Sequence, residues 1–228
     1  SGVRHRASGR RGGFTPNAEW LRPLIRGNEG GKVRIFGVIL AGGEGRRMGG
    51  ADKALLNLAG VPLISHAIAR LDPQVERLAI SANGAPARFA GFGLPVLADE
   101  TPIGPLSGVL AALRWAAPLG ATAVVSVSVD TPFLPGDLVP QLCLAAEAAA
   151  EGLALASSAK DHPACALWPV ALADPLAAFL ASGAKARVLA FAESHHAARA
   201  HFPDEAAFQN LNTPADLAAA EALLTGAA

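Results

Sequence analysis

The sequence predicts an α/β fold: a Rossmann-like three-layer α/β/α sandwich around a mostly parallel mixed sheet. From about residue 33, short β-branched runs alternate with longer runs rich in alanine and leucine, as expected for a sheet covered on both faces. Two strand candidates, VRIFGVIL at 33–40 and TAVVSVSV at 122–129, are nearly continuous in apolar residues, the mark of strands with no solvent face. A glycine-rich stretch, AGGEGRRMGG at 41–50, follows the first strand directly, and in open parallel sheets a ligand is met outside the carboxyl ends of the strands.

Along the chain, strands are expected at 33–40, 77–82, 94–98, 122–129, 153–157 and 165–168, with a weaker one at 197–202. Helices are expected at 62–71, 105–116, 137–150, 171–181, 185–194 and 214–224. Pro62 and Pro105 suit the first helical position, where a missing N–H costs nothing. The alanine-rich run 145–150 reads as a good helix former. The last helix carries the clearest start signal: Thr213-Pro214-Ala215-Asp216 sets a hydroxyl cap, a proline at the first turn and an acid three residues on.

With 228 residues, 51% hydrophobic, the chain can build one sizeable core, and no apolar run reaches the length of a membrane span. Formal net charge is zero but uneven. Residues 1–32 hold seven Lys/Arg against two Glu, leaving 12 Lys/Arg against 17 acids in the rest. The expected organisation is therefore a basic flexible extension or cloning remnant at 1–32 and a single domain at 33–228. Tyrosine is absent, which removes the usual stacking platform for single-stranded nucleic acid. Cys143 and Cys165 are the only cysteines; their spacing indicates neither a disulfide framework nor a zinc site, and a reducing cytoplasm fits.

The glycines after the first strand have a physical use. Lacking Cβ, they let backbone N–H groups come close to phosphate oxygens, while Arg46, Arg47 and Lys53 supply charge. The P-loop pattern fails because Gly50 is followed by Ala51-Asp52, and the dinucleotide fingerprint fails because Met48 stands at its last glycine. What remains is L-A-G-G-x-x-x-R-M-G-x-x-x-K from Leu40 to Lys53. No G-x-S-x-G elbow is present, and His195-His196 have no metal-ligand spacing.

Leu40-Ala41-Gly42-Gly43 with Arg47-Met48-Gly49 and Lys53 resembles the signature of nucleotidyltransferases, and within them the molybdenum cofactor guanylyltransferases. Further matches follow in order: Asn83, Asp99, Gly104-Pro105-Leu106-Ser107-Gly108, Asp130-Thr131-Pro132, Asp161-His162-Pro163 and Asn210-Leu211-Asn212-Thr213-Pro214. The resemblance covers about 33–224. It implies a Mg²⁺-dependent transfer of GMP from GTP to the terminal phosphate of molybdenum-loaded molybdopterin, with pyrophosphate leaving and no protein nucleophile. It also implies cytoplasmic transient contact with proteins of cofactor synthesis or insertion, and no nucleic acid or membrane partner.

On that resemblance, Leu40, Ala41, Gly42, Gly43, Asn83, Asp99, Gly104 and Gly108 are expected at GTP. Arg47 and Lys53 are expected on the triphosphate. Asp130 is expected to hold Mg²⁺, a cation that takes oxygen donors, although an aspartate before Thr-Pro is commonly a turn cap. Asp99 and Asn83 suit either base or ribose, and Gly108 suits close helix–sheet packing as well as ligand. His162, Asn210 and Asn212 are expected at the acceptor. Three alternatives stay open: a cytidylyltransferase acting on the same cofactor, against which L-A-G-G rather than L-A-A-G weighs, another NTP-dependent nucleotidyltransferase charging a different phosphorylated metabolite, and a non-catalytic GTP-binding module in cofactor delivery.

Overall fold

The computed structural model describes residues 33–42, 52–100, 103–183 and 187–225. Gly43, Arg46 and Arg47 lie outside them, as do residues 1–32. The central sheet is built from β1 (Ile35–Leu40), β4 (Arg77–Ser81), β5 (Val96–Leu97), β6 (Ala123–Ser128), β7 (Ala154–Ser157), β8 (Asp161–Pro169) and β9 (Ala198–His201), in the order β5-β4-β1-β6-β8-β7-β9. All neighbours pair in parallel except β8, which is antiparallel to both β6 and β7. The mixed, mostly parallel sheet is thus as expected. β2 (Asn57–Leu58) and β3 (Val61–Pro62) form a separate small hairpin.

The period of two along each strand divides the core. In β1, Ile35 and Ile39 pack on one face, Phe36 and Val38 on the other. In β6, Val125 and Val127 oppose Val124 in the same way, because successive side chains leave opposite sides of a pleated strand. One face is covered by α1 (Leu63–Leu71), α3 (Leu138–Ala146) and α6 (Pro214–Thr225), the other by α2 (Pro105–Ala116), α4 (Ala173–Ala181) and α5 (Val188–Ser194). Helices on both sides of one sheet are the three layers the alternating sequence predicts. One polar group inside is fully paired: the Ser126 hydroxyl donates to the Ala164 carbonyl at 2.8 Å and accepts from Trp168 Nε1 at 2.9 Å, as a buried hydroxyl must to avoid a desolvation cost.

Several boundaries differ from expectation. Pro62 belongs to β3 and precedes α1 rather than opening it. The helix expected at 137–150 ends at Ala146, followed by turns. β8 begins four residues earlier than the expected 165–168, so Asp161-His162-Pro163 lies within a strand instead of before it. The apolar pattern missed this half because the register shifts between Leu155 and Ala156 where β7 pairs with β8, and a bulge breaks the alternation that marks a strand.

Topology decides where these strands end. β1 lies between β4 and β6, so the chain turns one way after β1 and the other way to reach β6, the kind of crevice where open α/β sheets receive ligands. Because β8 runs against β6, pairing Ser126 with Ala166 and Ala123 with Pro169, its first residues stand at the carboxyl end of β6.

Candidate active site

The carboxyl ends of β1, β4, β5 and β6 collect the residues singled out in the sequence. Ala41 is buried and its N–H donates to the Ser81 carbonyl at 2.8 Å, so this amide continues the sheet and is not offered to a phosphate. Gly42 is exposed with nothing within 4 Å of where a Cβ would stand.

Lys53 opens a single 3₁₀ turn, Lys53–Leu55, whose preceding Asp52 accepts the Ala54 N–H at 3.1 Å, the usual way an aspartate satisfies an orphan donor. The Lys53 ammonium sits between Asp130 Oδ2 at 2.7 Å and Asn212 Oδ1 at 2.8 Å. Asp130 lies two residues beyond the end of β6 rather than at its last position, in a turn closed by the Thr131 hydroxyl donating to the Ser128 carbonyl at 2.7 Å. Its carbonyl accepts the Leu211 N–H at 2.9 Å, which stitches the segment before α6 to the same turn. Asn212 and Thr213 donate their backbone N–H groups to Asp216 Oδ2 at 2.9 and 2.8 Å, and the Asp216 N–H donates to the Thr213 hydroxyl at 3.1 Å. The predicted capping box therefore does two jobs: it starts α6 and it holds Asn212 beside Lys53. The Asn212 N–H, followed by the hydroxyl and the N–H of Thr213, draws the Asp216 carboxyl below its ordinary pKa.

Asp130 Oδ1 is buried with no hydrogen-bond partner among the described residues. A buried carboxylate oxygen left without a donor is costly and is the kind of lone pair a hard cation takes. Among the described residues no group of three or more His, Cys, Asp or Glu is placed to hold a metal. The donor set thus fits a magnesium ion that keeps waters and phosphate oxygens as its other ligands, and does not fit a closed all-protein metal cage.

Asn83 and Asp99, from the ends of β4 and β5, lock together. Asn83 Nδ2 donates to Asp99 Oδ2 at 3.1 Å, and the Asp99 N–H donates to Asn83 Oδ1 at 2.9 Å. The Ser81 hydroxyl reaches Asp99 Oδ1 at 3.4 Å. Gly104 caps α2 with φ of 139°, a conformation that L side chains rarely adopt. Gly108 is the fourth residue of α2, and a Cβ there would collide with the Ser81 hydroxyl and lie 3.1 Å from Leu40 Cδ2. The packing role weighed for Gly108 is thus the one visible in the geometry, and it protects a hydroxyl that touches Asp99.

His162, Asn210 and Asn212 line one polar cleft of about 690 Å³ with Lys160, Phe208 and Gln209. The His162 ring stacks on Phe208, centroids 4.3 Å apart, and its Nε2 is 2.7 Å from the Ser158 hydroxyl. Burial first, then the nearby Lys160 charge, pulls the imidazole below its usual pKa, so the ring is neutral at pH 7. Cys165 also borders the cleft, yet burial pushes its thiol up to about 12, and a thiol of that pKa is no nucleophile at neutral pH. A second, apolar groove of about 580 Å³ between α2, α4 and β5 contains none of the predicted site residues.

Sequence reading missed Asp52, Ser81, Arg88 and Phe208. Asp52 had a signal, an acid just before a short helical turn; the other three carry none, since each acts through a contact made across the fold.

A glycine-rich sequence after the first strand, a lysine–carboxylate pair at the switch point and an adjoining polar cleft are the features of an α/β domain of the nucleotidyltransferase class. Residues 37–199 match the family model described as the MobA-like NTP transferase domain. A molybdenum cofactor guanylyltransferase of Cereibacter sphaeroides is 65% identical over 192 residues, covering 84% of this chain and 98% of the relative. One of Acidiphilium cryptum is 50% identical over 188 residues, covering 81% and 93%. The chain belongs to the MobA-like NTP transferase family, and it is a nucleotidyltransferase. Among solved structures, molybdopterin-guanine dinucleotide biosynthesis protein A from Archaeoglobus fulgidus superposes with a TM-score of 0.66 at 22% identity, covering 84% of this chain and 99% of that one. A 4-diphosphocytidyl-2C-methyl-D-erythritol synthase from Anaerococcus prevotii does so with a TM-score of 0.69 at 11% identity, covering 85% and 96%; at these identities the likeness is one of fold. No helix among the described residues is long and apolar enough to cross a membrane.

Proposed function

We propose that this chain transfers the GMP unit of GTP to the terminal phosphate of molybdenum-loaded molybdopterin, releasing pyrophosphate and forming the guanine dinucleotide cofactor. The observation that carries the reading is Lys53, whose ammonium is shared by Asp130, on the nucleotide side, and Asn212, on the rim of the cleft. A charged group at that seam stands where a triphosphate and an incoming phosphate would meet. High identity to chains named molybdenum cofactor guanylyltransferase supports the choice of substrates.

In this reading an oxygen of the acceptor phosphate attacks the α-phosphorus of GTP. The new P–O bond forms as the bond to the β-phosphate breaks, and its electron pair leaves with pyrophosphate. Lys53 neutralises charge on the transferring and leaving phosphates, Arg47 of the glycine-rich stretch adds a planar donor, and Asn83 with Asp99 holds the nucleoside. His162 and Asn210 orient the acceptor, and the side chains supply position and charge rather than a covalent intermediate. Mg²⁺, held by Asp130, would supply Lewis-acid stabilisation of the phosphates. Work in the cytoplasm, beside proteins of cofactor synthesis or insertion, follows from the same reading.

The test is pyrophosphate release by the purified chain with Mg²⁺ and molybdenum-loaded molybdopterin, comparing GTP, CTP and ATP with acceptor-free controls. Acceptor-dependent release with GTP is the expected result. Release with CTP instead would replace the nucleotide, and GTP binding without release would favour a binding module.

A further inference from the structure

We propose that Arg88 is a positioning residue that sets the nucleoside half of the site in register with its phosphate half. The inference rests on the nucleotidyl-transfer reading and concerns a residue with no place in it so far. Arg88 lies in a 3₁₀ segment, Pro86–Phe92, anchored by the fully buried Phe89, with the guanidinium 4.6 Å from that ring's centroid. From there it reaches two loops. Nη2 donates to the Asn83 carbonyl at 2.7 Å and Nη1 to the Ala85 carbonyl at 3.2 Å, while Nε forms an ion pair with Asp52 Oδ2 at 2.6 Å.

The two loops are the ones that carry the candidate nucleotide contacts. Asp52 spends its other oxygen on the turn that begins with Lys53, and Asn83 spends its side chain on Asp99. A continuous path therefore runs from Lys53 through Asp52, Arg88 and Asn83 to Asp99, and no part of it needs a ligand to form. A nucleoside triphosphate spans such a path, with base and sugar at one end and phosphates at the other. A charge-assisted link with two directed donors on the Asn83 loop and a close ion pair on Asp52 fixes the separation of its ends far better than a flexible lysine could. The cation is only about one-quarter exposed, as is Asp52, which shields the pair from screening by salt. Since misplacement of a reacting group by about 1 Å can cost on the order of a hundredfold in rate, the link acts on catalysis without touching substrate.

The experiment compares Arg88→Ala, Arg88→Lys, Asp52→Asn and the Arg88→Ala/Asp52→Asn double variant of the full chain, by steady-state kinetics, equilibrium GTP binding and thermal melting. Asp52→Asn keeps an oxygen for the Ala54 cap while removing the charge. We expect kcat/KM for GTP to fall about tenfold to a hundredfold in Arg88→Ala, with KM for the acceptor unchanged within about twofold. Arg88→Lys should recover only part of the loss, and the double variant should be no worse than the worse single one, as for two members of one linkage. Should Arg88→Ala not fold, Arg88→Lys and Asp52→Asn carry the same comparison. Unchanged GTP binding and kcat/KM in the Arg88 variants, losses that multiply in the double variant, or a lowered melting temperature with no change in GTP parameters would each overturn the proposal. Failure of the wild-type chain to turn over any nucleotide would instead count against the transfer reading, and the GTP affinities of the variants would still decide the role of Arg88.

Discussion

The two ends of the candidate nucleotide site are built on opposite plans. Around Lys53 and Asp130 the central contact is between full charges, and one buried carboxylate oxygen is left without a partner among the described residues. Around Asn83 and Asp99 the polar atoms answer one another: amide to carboxylate, backbone N–H to amide oxygen, hydroxyl to carboxylate. The first end holds an unspent interaction that a cation can complete, and so is organised by charge. The second is satisfied before any ligand arrives, and so is organised by shape, its donors and acceptors pre-set for a planar or hydroxylated group. Removing a group should therefore damage chemistry at the first end and binding geometry or stability at the second.

The largest effect is expected at Asp130. Asp130→Ala should lower kcat by roughly 10²–10³, the scale for losing one electrostatic stabiliser, while GTP affinity measured without acceptor changes little; equal losses in binding and turnover would erase the contrast between the two ends. Lys53→Ala comes next, with kcat/KM for GTP down by about tenfold to a hundredfold and binding and turnover weakened together. Unaltered steady-state kinetics would remove Lys53 from the phosphates.

At the second end, Gly108→Ala should act through packing. The added methyl meets the Ser81 hydroxyl, and overpacking of this kind costs about 1–3 kcal/mol, a fall of roughly 2–12 °C in melting temperature for a chain of this size. Adding Ser81→Ala should restore part of that stability, because the next contacts, Leu40 Cδ2 at 3.1 Å and Ser81 Cβ at 3.3 Å, are milder. A double variant as unstable as the single one would mean that the helix, not the hydroxyl, dictates the glycine.

The smallest effect concerns pH. The folded pKa of His162 lies below its ordinary 6.5, so the unfolded chain binds the proton more readily and stability rises with pH through this window. The contribution is complete above about pH 6.5 and is lost as pH falls through the folded value. His162→Asn should show a flatter dependence of melting temperature between about pH 7 and 5, and an unaltered slope would show that the ring is not desolvated.

Much of this was legible in the residues. The alternation of strand and helix runs and the capping box at Thr213–Asp216 rest on interactions between near neighbours in sequence, where spacing alone determines geometry. The end of β6 falls one residue earlier, and the start of β8 four residues earlier, than the pattern predicts, because a turn and a bulge set them. Gly108 could be weighed for two roles, and only the approach of Ser81 from another element shows what fills the space beside it.

The sequence by itself determined the layered α/β architecture, the class of chemistry and most of the residues expected to perform it, since period-two and period-3.6 patterns and short motifs are local properties of the chain. Tertiary structure alone decided that Lys53 rests between Asp130 and Asn212, which are 77 and 159 residues away. It alone decided too that the residues expected at the acceptor face a single cleft, and that Arg88 ties one loop of the site to another. The physical reason is that such contacts depend on strand order and on the direction in which β8 runs, and these are set by the packing of the whole sheet rather than by any stretch of it.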